Sequence, residues 1–235
     1  MSRAQASAPP PIVLSVGGSV LVTGSGDEPY LRELADLVRR ISEERPVVVT
    51  TGGGRVAREY IALGRSLGLT EVELDEIGID VTRLHARLLA ALVGPRAPVH
   101  IPTTISSAIH EAHRTSPVIL GGTEPGHTTD GVAGLVAARL RAERLVNATS
   151  VDGLYDRDPR GSSTAHRHER MSWSEFRSTV DAHTRGEAGH QFVFDRLGAE
   201  ALAKAGIPLY IVHGRDLPNL EAALRGRPSV GTVVS

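Results

Sequence analysis

VVVTTGGGRVAREYIALGRSLG, residues 47–68, sets the reading of the whole chain. Pro46 punctuates, and Val47-Val48-Val49 is an apolar run without alternation, as expected of a strand buried on both faces. The strand runs straight into Gly52-Gly53-Gly54. From Arg55 to Leu67 the apolar residues then keep helical spacing, and Gly68 is a natural stop. Strand, glycine turn and helix make up the repeating unit of an α/β protein.

The same alternation extends in both directions. Ile12 to Val16 (IVLSV) reads as a short buried strand that stops at Gly17-Gly18, and Leu31, Leu34, Leu37, Val38 and Ile41 predict a helix over about 29–43. A long helical pattern covers 71–92 and is closed by Gly94-Pro95. Pro98–Ile101 and Val118–Leu120 are strand-like, with a helix between them over about 105–114. After polar residues 121–128 come a small-residue helix over 130–142 and the strand Leu145–Ala148, ending at Thr149. Residues 153–170 are rich in Gly, Asp, Arg, Ser and His and read as a long mobile loop. Helices near 173–183, 196–205 and 217–225, with strands at 207–212 and 230–234, complete the chain. This pattern predicts a mainly parallel sheet covered on both faces, without giving the strand order. Residues 1–11, ending in three prolines, read as a flexible tail, and 12–235 as a single domain.

Composition removes several function classes. The 235 residues carry a formal net charge of −1, against general binding to nucleic acid or an anionic membrane. Cysteine is absent, which excludes disulfides, thiolate metal sites and a cysteine nucleophile. Aromatics are only 3%, too few for a base-stacking platform. Neither a membrane-spanning apolar run nor a secretory signal pattern is read, so a soluble, cytoplasmic enzyme is expected.

Ligands of open α/β sheets bind outside the carboxyl ends of the strands. Four polar segments are expected there: Gly17-Gly18-Ser19, Gly52 to Arg55, Gly121 to Asp130 (GGTEPGHTTD), and Thr149 to Asp158. One glycine cluster need be no more than a tight turn. Several of them, each following a strand, point to an anion held by backbone N–H groups and helix N-termini. None is a Walker A loop and none matches the dinucleotide fingerprint. In GGTEPGHTTD, Thr128 or Thr129 can cap the following helix, which leaves Glu124, His127 and the glycines to another purpose.

GGSVLV, TGGGRVAREYI, LDEIGIDVTRLHARLL, GGTEPGHTTDGVA, NATSVDGLYDRDP and AGIPL resemble, in order and spacing, the archaeal-type UMP kinases of the amino acid kinase superfamily. The resemblance covers about 12–234. It implies an αβα sandwich, ATP as donor with Mg²⁺, UMP as acceptor, and a homohexamer in which the 71–92 helix takes part in a dimer contact. Gly18 and Ser19 would approach the ATP phosphates, as would Gly54 and Arg58, and Thr149, Tyr155 and Asp158 would hold the adenosine. Gly53, Asp75 and the run Thr123, Glu124, Pro125, Gly126, His127, Thr128 and Thr129 would take UMP. Transfer between two polyanions is mostly alignment and charge neutralisation, so Arg58 and Asp130 are the expected catalytic side chains. Many superfamily kinases carry lysines where this chain has Ser15 and Ser150, and its one lysine is Lys204.

Competing readings are weaker. His110/His113, His166/His168 and His183/His190 lack a third ligand at motif spacing, and Asp152, Asp156 and Asp158 lack the pattern of a calcium loop, so no side-chain metal site is expected. Arg139, Arg141 and Arg144 read as a solvated helix end. Two alternatives to a UMP kinase remain: a related kinase with another small acceptor, and a non-catalytic nucleotide or oxyanion binder.

Overall fold

The computed structural model describes residues 9–24, 26–157, 164–186 and 194–235. The first half of the chain contains β1 (Ile12–Val16), α1 (Gly18–Leu21), α2 (Glu28–Glu44), β2 (Val47–Thr51), α3 (Gly54–Ser66) and α4 (Glu71–Val93). Next come α5 (Ile105–Ala112), β3 (Val118–Leu120), α6 (Thr129–Leu140), β4 (Arg144–Thr149), β5 (Leu154–Tyr155), β6 (Arg167–His168) and β7 (Arg170–Met171). The last elements are α7 (Trp173–Gly186), α8 (Arg196–Ala205), β8 (Leu209–His213), α9 (Leu217–Leu224) and β9 (Thr232–Val234).

The main sheet has the order β3-β2-β1-β4-β8-β9-β7. The first five strands in that order are parallel, β9 is antiparallel to β8, and β7 is parallel to β9. Because side chains alternate along a strand, β1 sends Ile12, Leu14 and Val16 to one face and Val13 to the other. The first face packs against α2, α4 and α9, and the second against α5, α6, α7 and α8. The result is the expected αβα sandwich, with Leu34, Leu37 and Ile41 of α2 buried at helical spacing.

Three local readings need correction. Pro98–Ile101 is irregular, and Val99 is 92% exposed. Pro98 and Pro102 each lack an N–H to donate to a ladder, so the apolar run crosses the surface between α4 and α5. The one-turn helix α1, missed in the sequence, forms as the N–H groups of Val20 and Leu21 return to the carbonyl of Gly17. The stretch 153–170 contributes a two-stranded hairpin, β5 with β6, and the edge strand β7. Residues 1–8 of the expected tail lie outside the described residues, while Pro11 is already tied down through its carbonyl by the Glu143 N–H.

Candidate functional site

Parallel pairing brings the carboxyl ends of β3, β2, β1, β4 and β8 to one edge of the sheet, and the predicted glycine loops leave from there. The first two loops pack backbone against backbone. A Cβ added to Gly18 would stand 2.1 Å from Gly54 N, and one added to Gly54, at φ +57°, would stand 2.2 Å from Gly18 O. Only glycine permits that approach, which sets the first glycine loop directly against the start of α3.

Arg58 projects from α3 as an exposed side chain, with no hydrogen bond or ion pair among the described residues. Its neighbour Arg55 takes Glu59 instead, at 3.5 Å. Ser19 and Ser150 are exposed, whereas Ser15 is fully buried.

The buried Ser15 is part of a polar row. In register, Ser15 of β1 lies between Thr50 of β2 and Asn147 of β4, all on the sheet face covered by α6. Thr50 Oγ1 donates to Ser15 Oγ at 3.1 Å, and Ser15 Oγ donates to Asp130 Oδ1 at 2.6 Å. Burial pushes the Asp130 carboxyl up to about 6; the Ser15 bond opposes that rise and the nearby Asp195 charge adds to it. A position read as a missing lysine thus holds a hydroxyl that orients the carboxylate. The sequence signal was a polar residue at one shared register position, Ser15 in the otherwise apolar β1 beside Thr50 of β2 and Asn147 of β4.

Helix α4 holds the loop 121–130. Thr70 and Glu73 start it with a reciprocal cap, and Gly94, at φ +85°, ends it. Along one side, Asp75 Oδ2 accepts from Gly126 N at 2.9 Å, and Thr82 Oγ1 accepts from Gly122 N at 2.6 Å. Arg83 reaches the carbonyls of Gly122 and Thr123, both at 3.1 Å, and of Thr103 at 3.3 Å. His85 Nδ1 donates to Gly52 O at 2.8 Å, so the same helix also steadies the second glycine loop. Of these four side chains only Asp75 was singled out from the sequence; Thr82, Arg83 and His85 stand in the same quoted motif.

Within the loop 121–130, Thr123 Oγ1 and His127 Nδ1 are buried without a hydrogen-bond partner among the described residues. Glu124 Oε1 lies 3.0 Å from His127 Nδ1 but without the alignment of a hydrogen bond. Glu124, Pro125 and Gly126 are exposed. Thr128 caps α6 by accepting from Gly131 N at 3.0 Å and donates to Asp195 Oδ2 at 2.8 Å, while Thr129 opens the helix. Asp195 also caps α8. It comes close because α6 and α8 cross at glycines: a Cβ on Gly134 would lie 2.4 Å from Gly198 Cα. Asp195 was not read from the sequence as a site residue.

On the far side of the edge, Thr149 O accepts from Gly214 N at 2.8 Å. Tyr155 donates through its hydroxyl to Asp152 Oδ1 at 2.9 Å, and Arg167 takes Asp152 Oδ2 at 2.8 Å, which fixes the ring on the β5–β6 hairpin. Asp158 and His190 fall outside the described residues. Among the described residues no three His, Asp or Glu side chains gather as a metal-ligand set.

The amino acid kinase family model matches residues 10–213. The uridylate kinase of Methanothermobacter thermautotrophicus is 39% identical over 226 residues, covering 95% of this chain and 98% of that protein. The uridylate kinase of Thermoplasma volcanium is 41% identical over 223 residues, covering 95% and 96%. The crystal structure of uridylate kinase from Archaeoglobus fulgidus superposes with a TM-score of 0.85 at 37% identity, covering 95% of this chain and 99% of that one. The chain therefore belongs to the amino acid kinase family, and these three relatives, each matched over nearly its whole length, are uridylate kinases.

Proposed function

We propose that this protein transfers the γ-phosphoryl group of ATP to UMP, giving UDP and ADP. The observation that carries the reading is the loop 121–130, tied to Asp75 through Gly126 N, in which the buried Thr123 hydroxyl has no hydrogen-bond partner among the described residues, at the same sheet edge as the interlocked glycine loops. A buried polar atom without a partner is costly, and a ligand that supplies the partner recovers that cost on binding.

In this reading Gly18, Ser19, Gly54 and Arg58 face the ATP phosphates, and Thr149, Tyr155 and Asp158 hold the adenosine. Gly53, Asp75 and Thr123 to Thr129 hold UMP. An oxygen of the UMP phosphate forms the new bond to the γ-phosphorus as the bond to the ADP oxygen breaks. That oxygen is already anionic, so a general base has little to do, and backbone N–H groups and Arg58 stabilise the equatorial charge. Ser15 holds Asp130 by one oxygen and leaves Oδ2 without a protein hydrogen bond among the described residues. An oxygen donor of that kind suits Mg²⁺ reached through water, the metal being held mainly by the nucleotide phosphates, where it would neutralise charge.

We also infer a homohexamer acting in the cytoplasm. Support for assembly comes from Tyr60 and Leu63, exposed on α3, with Leu67 exposed just after it, and from Leu84 and Leu88, exposed on the adjoining α4. No helix among the described residues is long and apolar enough to cross a membrane. An acceptor panel with Mg-ATP tests the function: UMP should be turned over far faster than AMP, GMP or small carboxylates. A preferred purine or carboxylate acceptor would point to another kinase of the family, and binding without turnover to a non-catalytic protein.

A further inference from the structure

The first glycine loop is held at its entrance by the sheet, because Gly17 N donates to Ala148 O at 2.9 Å. Its exit, after α1, has no such ladder. There Thr23 N and Gly24 N both donate to Asp27 Oδ2, at 2.6 and 2.9 Å, and Thr23 Oγ1 donates to Asp27 Oδ1 at 2.8 Å. Asp27 is 5% exposed, and Arg215, from the turn after β8, pairs with its Oδ1. The Arg215 guanidinium lies 4.6 Å from the centroid of the Tyr30 ring, and Tyr30 donates through its hydroxyl to Gly214 O at 3.1 Å. Gly214 N in turn donates to Thr149 O, and a Cβ on Gly214 would meet Val20 Cγ2 of α1 at 2.9 Å.

These contacts form one closed circuit from the exit of the first glycine loop, through Asp27 and Arg215, to the end of β4. We propose that the Asp27–Arg215 pair is a positioning device for the donor nucleotide: it fixes Gly18–Ser19 relative to Thr149, so that the phosphate-facing and adenosine-facing ends of the ATP site keep one spacing. The inference rests on the assignment of ATP to that side of the sheet edge. Burial acts to raise the Asp27 carboxyl, but the bonds from Arg215, Gly24 and Thr23 outweigh it and hold Asp27 below the ordinary carboxylate range. The clasp is therefore charged throughout the neutral range. Neither residue reaches the acceptor loop through any hydrogen bond or ion pair among the described residues.

A small displacement of a phosphate-binding loop is enough to weaken binding and alignment together. Arg215→Gln and Asp27→Asn should each raise KM for ATP about tenfold, with KM for UMP within twofold of the unaltered protein. The double variant should be no worse than either single one, since both break the same contact. Arg215→Lys, which keeps the charge but loses the guanidinium over the Tyr30 ring, should recover part of the loss. Calorimetric titration with ATP in the absence of UMP is the direct readout, with thermal midpoints measured alongside. Equal increases in both KM values, or lower thermal midpoints with unchanged ATP affinity, would reduce the clasp to a structural role and overturn the inference. If the unaltered protein binds no ATP, the functional assignment fails and this inference with it. If it binds ATP and Arg215→Gln binds equally well, the inference alone fails.

Discussion

Ser15 donates its hydroxyl to the carboxylate of Asp130 at 2.6 Å, across 115 residues of sequence. The contact joins the centre of the sheet to the first turn of α6 and works against the burial that pushes this carboxyl up to about 6. Since the Ser15 bond favours the ionised form, Ser15→Ala should move the carboxyl higher. If ionised Asp130 is needed for transfer, the acid limb of the pH–rate profile should shift upward in Ser15→Ala at unchanged UMP concentration. UMP itself titrates in this range, so the displacement between the two proteins is what counts. An unmoved limb would mean that Asp130 does not control it.

The same shift has a stability consequence. Asp130 has a folded-state pKa near 6 against an ordinary value of 3.8, so the folded protein binds this proton more tightly than the unfolded chain does. The penalty for ionising it is absent well below pH 3.8, grows between the two values and is complete above about 6. Asp130→Asn should therefore raise stability at pH 8 by up to about 3 kcal/mol, with a gain that shrinks toward pH 4. Turnover should fall at least about 10²-fold. Thermal melts at pH 4, 6 and 8 check the sign, and a variant less stable than wild type at pH 8 contradicts it.

Arg58 offers a test free of structural side effects, because it is exposed and holds no ion pair among the described residues. Arg58→Ala should leave the thermal midpoint nearly unchanged and lower kcat by roughly 10²-fold, as for loss of a few kcal/mol of transition-state stabilisation. Arg58→Lys should recover only part, since an ammonium cannot bind two phosphate oxygens in a planar fork. Near-normal kcat in the alanine variant would leave the charge to backbone N–H groups and metal.

Much of this was legible in the chain. The valine run, the glycine turn and the helical spacing that follows each reflect local chemistry, so β1, β2, α2 and α3 emerged within a few residues of their expected bounds. Strand order was hidden, because it depends on which strands pair after long crossovers. Pro98–Ile101 misled because apolar content alone does not provide a neighbouring strand. In the candidate site the glycines could be read from the sequence, since close backbone approach demands that residue type. The Ser15–Asp130 contact, the reach of Arg83 to three carbonyls and the Asp195–Thr128 bond could not, because each joins ordinary polar residues that only the sheet and helix packing bring together.

Assembly can be tested at Leu63, 57% exposed in the middle of the α3 stripe. A leucine left to solvent loses nothing when replaced by aspartate, whereas a charge placed inside an apolar contact between copies is strongly unfavourable. Leu63→Asp should split the assembly into smaller species in light scattering while each chain keeps its helical circular dichroism. An unaltered mass for Leu63→Asp would place the contact on another surface.

Thr123 separates binding from folding most cleanly. Its Oγ1 is buried and has no hydrogen-bond partner among the described residues, so the fold bears the cost of desolvating a hydroxyl with nothing in return. Valine has nearly the same shape without the hydroxyl. Thr123→Val should therefore be neutral for stability or gain up to about 1 kcal/mol, unlike most changes to a buried polar residue. If UMP supplies the missing partner, the variant loses that hydrogen bond on binding. KM for UMP should then rise about tenfold, or more where the bond is to a charged phosphate oxygen, while KM for ATP stays fixed. The two measurements move in opposite directions only if the hydroxyl exists for the ligand. A Thr123→Val protein that melts several degrees lower would show that the hydroxyl supports the fold. One with normal KM for UMP would take Thr123 out of the acceptor site, and with it the strongest single support for reading residues 121–130 as the place where UMP binds.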